Sequence, residues 1–179
     1  MKEYIIETER LRLRRLEDSD FDNLKAILSD SETMSYYPEP YDDHGVQRWI
    51  NWNKGLYEER GFGLFAVELK ENCTFIGDCG ITMQNIDGKI VPEIGYHVNK
   101  KYWKNGYASE ASQACKEWIF SNSDFTEIYS YMNTENIGSR KVAENNGMSL
   151  VKEYYKGDEH LSVYRITKDE YEKSLLCTR

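Results

Sequence analysis

Residues 93–111 read EIGYHVNKKYWKNGYASEA and join three features in a fixed order. The run to Val98 has the period of a strand, a loop with three lysines follows, and Asn105-Gly106 opens a helical pattern. The first turn of a helix carries unpaired N–H groups and a partial positive charge, and a glycine lets the backbone approach a ligand closely. The segment therefore predicts a phosphate or pyrophosphate site on the amides of residues 104–108. A plain strand-to-helix connection with a solvated basic loop is the alternative.

Hydrophobic periodicity on both sides of this segment predicts a mixture of strands and helices. Residues 9–16 alternate basic and apolar residues, which is typical of a strand with one buried face, whereas 106–120 carry an apolar stripe at helical spacing. The predicted strands are 9–16, 62–69, 75–83, 90–98, 127–133, 148–155 and 161–166, and the predicted helices are 21–28, 43–59, 106–120, 136–146 and one opened by a capping box at 167–170. This order predicts one α+β domain over residues 1–179, with a mixed sheet covered by helices.

The composition argues against several classes of protein. The chain has 179 residues, of which 40% are apolar and 30% charged, as in globular domains. Its 31 acidic and 23 basic residues give a net charge of −8, which argues against a general nucleic-acid binder and against a polybasic protein of membrane surfaces. No apolar run reaches the roughly 20 residues of a membrane span, and the first residues are unlike a secretion signal. We expect a cytoplasmic protein without a nucleic-acid or membrane partner.

The spacing of the cysteines and glycines argues against a zinc site and against the common nucleotide-binding motifs. The four cysteines form no C-x-x-C pair, and no Cys/His group has the spacing of a zinc site, so we expect idle or buried thiols and no metal. The glycines match neither a P-loop nor a dinucleotide-binding turn. A phosphate group on residues 104–108 would therefore belong to another kind of ligand.

Two blocks of the sequence resemble the GNAT N-acetyltransferases. The acetyl-CoA loop of that family has the pattern Gln/Arg-x-x-Gly-x-Gly/Ala, which residues 103–108 match as Trp-Lys-Asn-Gly-Tyr-Ala. Trp103 departs from the general pattern but is similar to the RimJ/RimL-type branch, as are the second block at 136–142 and the Asn-Gly-Met at 146–148. The resemblance covers about residues 9–166.

This resemblance implies a GNAT fold, with a mostly antiparallel central sheet flanked by helices, and transfer of an acetyl group from acetyl-CoA to a primary amine. It also implies that a backbone N–H near His97 or Val98 donates to the oxyanion of the tetrahedral intermediate. It implies contact of Asn136 with acetyl-CoA, and capping of a helix alone is a nearly equal alternative for Asn136. The implied acetyl-CoA residues are His97, Val98, Lys104, Asn105, Gly106, Tyr107, Ala108, Ser109, Asn136 and Ser139.

Two residues are candidates for the chemistry. A primary amine is mostly protonated at neutral pH, so a general base would raise the fraction able to attack. Glu93 lies 13 residues before Gly106, the separation of the base glutamate in GNAT histone acetyltransferases, and strand alternation puts it on one face with His97. By resemblance Ser139 is the donor to the departing thiolate, because Ala143 replaces the tyrosine that many GNAT enzymes use. An ion-pair role for Glu93 and a helix-start role for Ser139 are the alternatives.

The acceptor amine is less defined. Tyr36, Tyr37, Tyr41 and His97 are candidate substrate contacts, and His97 is also a rival base or a structural histidine. The RimJ/RimL-type branch acts on protein N-termini, a small amine is the alternative, and the net charge favours a cationic acceptor. A non-catalytic acyl-CoA-binding regulatory module is the competing function. We expect a monomer or a homodimer.

Overall fold

One sheet of eight strands runs through residues 3–177, the part of the chain that this computed structural model describes. The strands are β1 (Ile6–Glu7), β2 (Leu11–Arg14), β3 (Leu64–Leu69), β4 (Phe75–Ile86), β5 (Lys89–Val98), β6 (Glu127–Asn133), β7 (Ser149–Lys156) and β8 (Glu159–Thr167). They lie in the order β1-β2-β3-β4-β5-β6-β8-β7, and every neighbouring pair is antiparallel except β5 and β6, which are parallel. The sheet confirms the predicted α+β class.

Helices pack on both faces of this sheet. They are α1 (Phe21–Leu28), α2 (Asp43–Arg60), α3 (Tyr107–Asn122), α4 (Ile137–Asn145) and α5 (Lys168–Cys177). Ala66 of β3 packs in a cluster with α1 and α2, whereas its neighbour Phe65 contacts Trp118 of α3, because successive side chains of a strand point to opposite faces. None of these helices is long and apolar enough to cross a membrane.

The first predicted strand, 9–16, is wrong at both ends. The structure has two short strands here, because Thr8 turns the chain: its hydroxyl accepts the Leu11 N–H at 2.9 Å, and its N–H donates to the Leu11 carbonyl at 3.0 Å. The strand after this turn ends at Arg14, whose guanidinium is buried between Asp20 and Glu68 at 2.7 Å from each carboxylate. Within β2, Leu11 and Leu13 are buried in the core as the alternation predicts. Arg14 on the opposite face is buried as well, so the prediction of a single buried face is wrong.

The parallel pair β5 and β6 opens the sheet at its centre. The two strands pair at one position, Glu93 with Tyr129. The Ser130 hydroxyl also donates to the Ile94 carbonyl at 3.3 Å, and the Tyr131 backbone contacts the Glu93 carboxyl. Beyond these positions the strands separate, and their facing edges leave backbone groups free to meet a ligand. This opening positions the candidate site.

Candidate active site

A cavity of about 340 Å³ lies where β5 and β6 separate. Residues 93–97 of β5 and 130–133 of β6 form two of its walls. The start of α4 closes it on one side, and the loop between α1 and α2 closes it on the other. The predicted residues Glu93, His97 and Ser139 therefore line one space, although 46 positions separate the first from the last.

Glu93 lies in the cavity wall at the paired position of β5. It is 7% exposed, and the Thr82 hydroxyl donates to its Oε2 at 3.4 Å. Burial raises the pKa of Glu93 to about 8, against smaller lowering effects of Thr82 and of the Tyr131 backbone. Within residues 3–177 Glu93 forms no ion pair with a basic side chain, so its structural alternative has no support.

The backbone of β5 shows which amides face the opening. The N–H of His97 donates to Asp78 Oδ1 at 3.1 Å, and that of Asn99 donates to the Ile76 carbonyl at 2.8 Å, so both point toward β4. Successive N–H groups of a strand alternate in direction. The amides of Tyr96 and Val98 therefore point to the opened side. His97 and Val98 were the two positions expected to supply a backbone N–H to the oxyanion. The prediction is wrong for His97, because its N–H already donates to Asp78, so Val98 is the remaining candidate.

The side chain of His97 is held from behind by an acid. Its Nδ1 lies 2.8 Å from Oδ1 of Asp78, and the other oxygen of that carboxylate accepts the Trp49 indole N–H at 2.8 Å. Asp78 is fully buried, and the His97 ring packs edge-on against Trp49 and tilted against Tyr37. Asp78 is not among the residues predicted from the sequence. The sequence signal for it is a single acidic residue in the apolar run of β4.

The loop after β5 has the geometry of an anion site. The first N–H that bonds within α3 is that of Glu110, to the Gly106 carbonyl at 3.0 Å, so the amides of residues 106–109 lie outside the helix ladder. Gly106 has φ +80°, and Lys104 has φ +63°, both in the left-handed region. Trp103, the departure from the family pattern, donates its indole N–H to the Val98 carbonyl at 2.7 Å and fastens the loop to β5.

Two side chains beside this loop differ from expectation. The amide of Asn105 donates to the carbonyls of residues 102 and 103, so its side chain braces the loop. Arg10, which the sequence analysis treated only as part of a strand, donates from Nη1 to the Asn105 carbonyl at 3.0 Å and from Nε to Glu110 Oε2 at 2.6 Å. Arg10 adds a cation at the loop from 95 residues away, and local periodicity could not have revealed this contact.

The start of α4 carries the second predicted block. Asn136 is its N-cap, since its Oδ1 accepts the Ser139 N–H at 3.0 Å, so the capping alternative is confirmed. The Tyr96 hydroxyl donates to the Ser139 carbonyl at 3.3 Å. Ser139 therefore lies at the edge of the cavity, beside the side chain of Tyr96. The further expectation, contact of these two α4 residues with acetyl-CoA, stays a prediction.

Aromatic rings form the outer part of the cavity. Tyr36, Tyr37 and Tyr41 line it, as predicted, together with Trp49. Tyr36 and Tyr37 are 41% and 44% exposed, which places them at the mouth. Faces of tyrosine and tryptophan rings attract cations, so this mouth suits an ammonium group.

Residues 3–177 contain no group of three His, Cys, Asp or Glu side chains close enough to hold a metal ion. Cys79 and Cys115 are buried, and Cys73 is exposed. Independence from metal stays a prediction, which chelation tests.

Comparison with known proteins identifies relatives of this chain. Residues 10–149 match the family described as "Acetyltransferase (GNAT) domain". Over 158 residues, 88% of this chain and 92% of the relative, the sequence is 36% identical to the "Uncharacterized protein YkkB" of Bacillus subtilis. It is 34% identical to the "Uncharacterized N-acetyltransferase YnaD" of the same organism, over 80% of this chain and 81% of the relative.

Solved structures share the fold. A GNAT-family acetyltransferase from Bacillus anthracis has a TM-score of 0.78 and 29% identity, covering 92% of this chain and 98% of the other. RimL, titled a ribosomal L7/L12 alpha-N-protein acetyltransferase in complex with coenzyme A, has a TM-score of 0.76, covering 94% and 99%. Its identity is 19%, so this likeness shows the fold alone.

Proposed function

The chain belongs to the GNAT acetyltransferase family and is an acetyl-CoA-dependent acyltransferase, and from that premise we propose how it acts and on what. Acetyl-CoA and a primary amine bind together in the opening between β5 and β6, and the amine attacks the thioester directly. The observation that carries this proposal is the course of one segment: β5, whose separated edge and buried Glu93 line the cavity, continues into the loop whose amides at residues 106–109 lie outside the α3 hydrogen-bond ladder.

Backbone groups would hold the acetyl donor. The amides at residues 104–108, with the positive end of α3 and the guanidinium of Arg10, suit a pyrophosphate. The N–H of Val98 points into the opening, where it can donate to the thioester carbonyl and to the oxyanion that forms from it. Such a donor is fixed before the reaction begins, so it needs no reorganisation as charge develops on the oxygen.

Two side chains would handle protons and charge. The ionised carboxylate of Glu93 accepts the proton of the nitrogen that has attacked, and burial makes it a stronger base than an exposed carboxylate. Ser139 donates a hydrogen bond to the departing sulfur. A thiolate leaves readily, so we assign Ser139 a smaller part than Glu93.

The acceptor in this proposal is cationic and primary. The aromatic mouth, the carboxylate of Glu159 and the net charge of −8 all favour an ammonium group. Both a protein N-terminus, as in the RimJ/RimL-type branch, and a small amine meet this description. A cytoplasmic location goes with either acceptor and stays a prediction.

The test is release of free thiol from acetyl-CoA in the presence of a panel of N-terminal peptides and small amines. We expect amine-dependent release with at least one member, matched by acetylated product. Tight binding of acetyl-CoA without amine-dependent release from any member would instead support the regulatory module.

A further inference from the structure

Acetylation of an amine that enters as an ammonium ion removes two protons from its nitrogen. The acceptor enters mostly as an ammonium ion, R–NH3⁺, and leaves as an amide that keeps a single N–H. One proton must leave before the nitrogen can attack, and a second leaves after the N–C bond has formed. Glu93 accounts for the second proton in the function proposed above, on which this inference rests. A first acceptor remains to be found.

His97 and Asp78 form a pair that fits this task. Asp78 is fully buried and holds Nδ1 of His97 at 2.8 Å, while Trp49 fixes the other oxygen of the same carboxylate. With Nδ1 engaged, Nε2 is the ring nitrogen left to the cavity, and it has no hydrogen-bond partner among the residues that the structure describes. A carboxylate behind one ring nitrogen sets the tautomer and stabilises the protonated ring, so the exposed nitrogen can accept a proton.

The surroundings of His97 agree with this role. The titratable groups around it are Asp78 on β4, Tyr37 and Tyr41 on the loop between α1 and α2, Tyr131 on β6, and Glu93 and Tyr96 on its own strand. Arg48 of α2 interacts with Tyr41. Asp78 and the ring faces of Tyr37 and Trp49 favour positive charge at this end of the cavity. This end of the cavity therefore suits an incoming ammonium.

We propose that His97, positioned by Asp78, takes the first proton from the acceptor ammonium at Nε2 and so produces the neutral amine that attacks. The steps then balance. His97 takes one proton, the N–C bond forms and the C–S bond breaks, Glu93 takes the second proton from nitrogen, and the thiolate of CoA departs. Four residues of β5, about 13 Å of strand, separate His97 from Glu93. Both side chains line the cavity, so the nitrogen moves along it between the two proton transfers. Both protons pass to solvent afterwards.

The experiment compares two acceptors of the same shape. The first is the best primary amine from the panel, and the second is its fluorinated analogue, whose nitrogen is neutral at pH 7 and has only one proton to lose. For His97→Gln we expect kcat/KM to fall roughly 10²-fold with the first acceptor at pH 7 and to stay near wild type with the analogue. The deficit with the first acceptor should shrink as pH rises toward the pKa of the amine. Glu93→Gln should be slow with both acceptors.

Two further variants serve as a control and as a second test of the proposal. His160 also faces a carboxylate, Glu153 at 3.4 Å, but lies outside the cavity, so His160→Gln should match wild type with both acceptors. Trp49→Phe keeps a ring but removes the N–H that holds Asp78, and should show a weaker form of the same acceptor dependence, which keeps the test open if His97→Gln does not fold. Equal loss with both acceptors, or no loss with either, in His97→Gln would overturn the proposal. Absence of turnover in the wild type would overturn the proposed function itself.

Discussion

Glu93 shows how one buried side chain acquires a function. An exposed glutamate is ionised at pH 7 and is a weak base. Burial beside Thr82 raises the pKa of Glu93 to about 8, so the carboxyl holds its proton near neutrality and binds a proton more strongly once ionised. The same burial makes ionisation of Glu93 costly in the folded protein, so the free energy of unfolding should fall as this carboxyl ionises, whether or not it acts in catalysis.

Stability should therefore depend on the protonation of Glu93. The pKa is raised on folding, from 4.5 to about 8, so the folded state binds more protons and loses stability as pH rises between these values. The loss is at most about 1.4 kcal/mol per pH unit. Glu93→Gln removes it, so denaturant unfolding should show the variant gaining stability relative to wild type from pH 5 to pH 8. A difference between the two proteins that does not change with pH would contradict the raised pKa.

The same substitution tests the residue kinetically. Glu93→Gln keeps the shape and removes the proton acceptor, so kcat should fall roughly 10²-fold or more while the affinity for acetyl-CoA is retained. The pH–rate profile of the wild type should rise through about pH 8, and this limb should be absent in the variant. If the variant kept both the rate and the limb, Glu93 would have no role in proton transfer.

At the scale of elements, the loop between β5 and α3 depends on a backbone conformation. Gly106 has φ +80°, which side chains rarely adopt, so Gly106→Val should disturb the amides of residues 106–109 and weaken CoA binding roughly tenfold or more. Gly88 is the matched control, because it has φ +82° in the β4–β5 turn with open space around it. Calorimetry should show near wild-type affinity for Gly88→Val. Equal affinities of the two folded variants would refute the assignment of this loop.

A substitution at the start of α4 should lower kcat less than Glu93→Gln does. Ser139→Ala removes the hydroxyl but leaves the N–H that Asn136 caps, so the helix should remain intact. Because a thiolate needs little help to leave, we expect kcat to fall by about tenfold or less, with unchanged thermal stability. A loss as large as that of Glu93→Gln would mean that sulfur departure, and not proton removal, limits the reaction.

Elements with a strong local pattern could be predicted from the sequence. The helix at 106–120, the hairpin strands and the capping role of Asn136 each follow from residues within a few positions of one another. The ends of the first predicted strand could not be predicted in this way. They depend on the turn that Thr8 forms and on the contacts of Arg14 with Glu68 of β3 and with Asp20 before α1. Nor could the opening between β5 and β6, since separation of two strands leaves no mark in the period of either.

The site shows the same division between local and distant contacts. Glu93, His97 and the loop after β5 lie in one segment of the sequence. Strand alternation predicted that Glu93 and His97 share a face, and both line the cavity. Asp78 and Arg10 reach that segment from 19 and 95 residues away, and each has an ordinary strand pattern of its own. Side-chain contacts of this kind depend on the register of strands distant in sequence, which local sequence patterns do not determine.

At the scale of the whole molecule, the chemistry should need only this chain and its two substrates. Side chains and backbone amides supply every role in the proposed reaction, and residues 3–177 hold no cluster suited to a metal. Exhaustive chelation should therefore leave the rate of thiol release unchanged within error. Loss of activity that zinc or magnesium restores would require a metal role and a revised site.

The net charge of −8 and the aromatic mouth act together on the choice of acceptor. A dicationic amine should have a lower KM than a neutralised analogue of the same length, and salt should reduce the difference because it screens the field of the protein. Equal KM values at low salt would indicate recognition by shape alone.

The central claim is that acetyl-CoA and an amine meet in one opening and react directly. Initial rates of thiol release, measured over a grid of acetyl-CoA and amine concentrations for the best acceptor of the panel, test it most directly. Direct attack predicts intersecting lines in double-reciprocal plots and one acetylated amine for each thiol released. Parallel lines would indicate an acetylated enzyme intermediate, and thiol release independent of the amine would indicate hydrolysis; either result would contradict the claim.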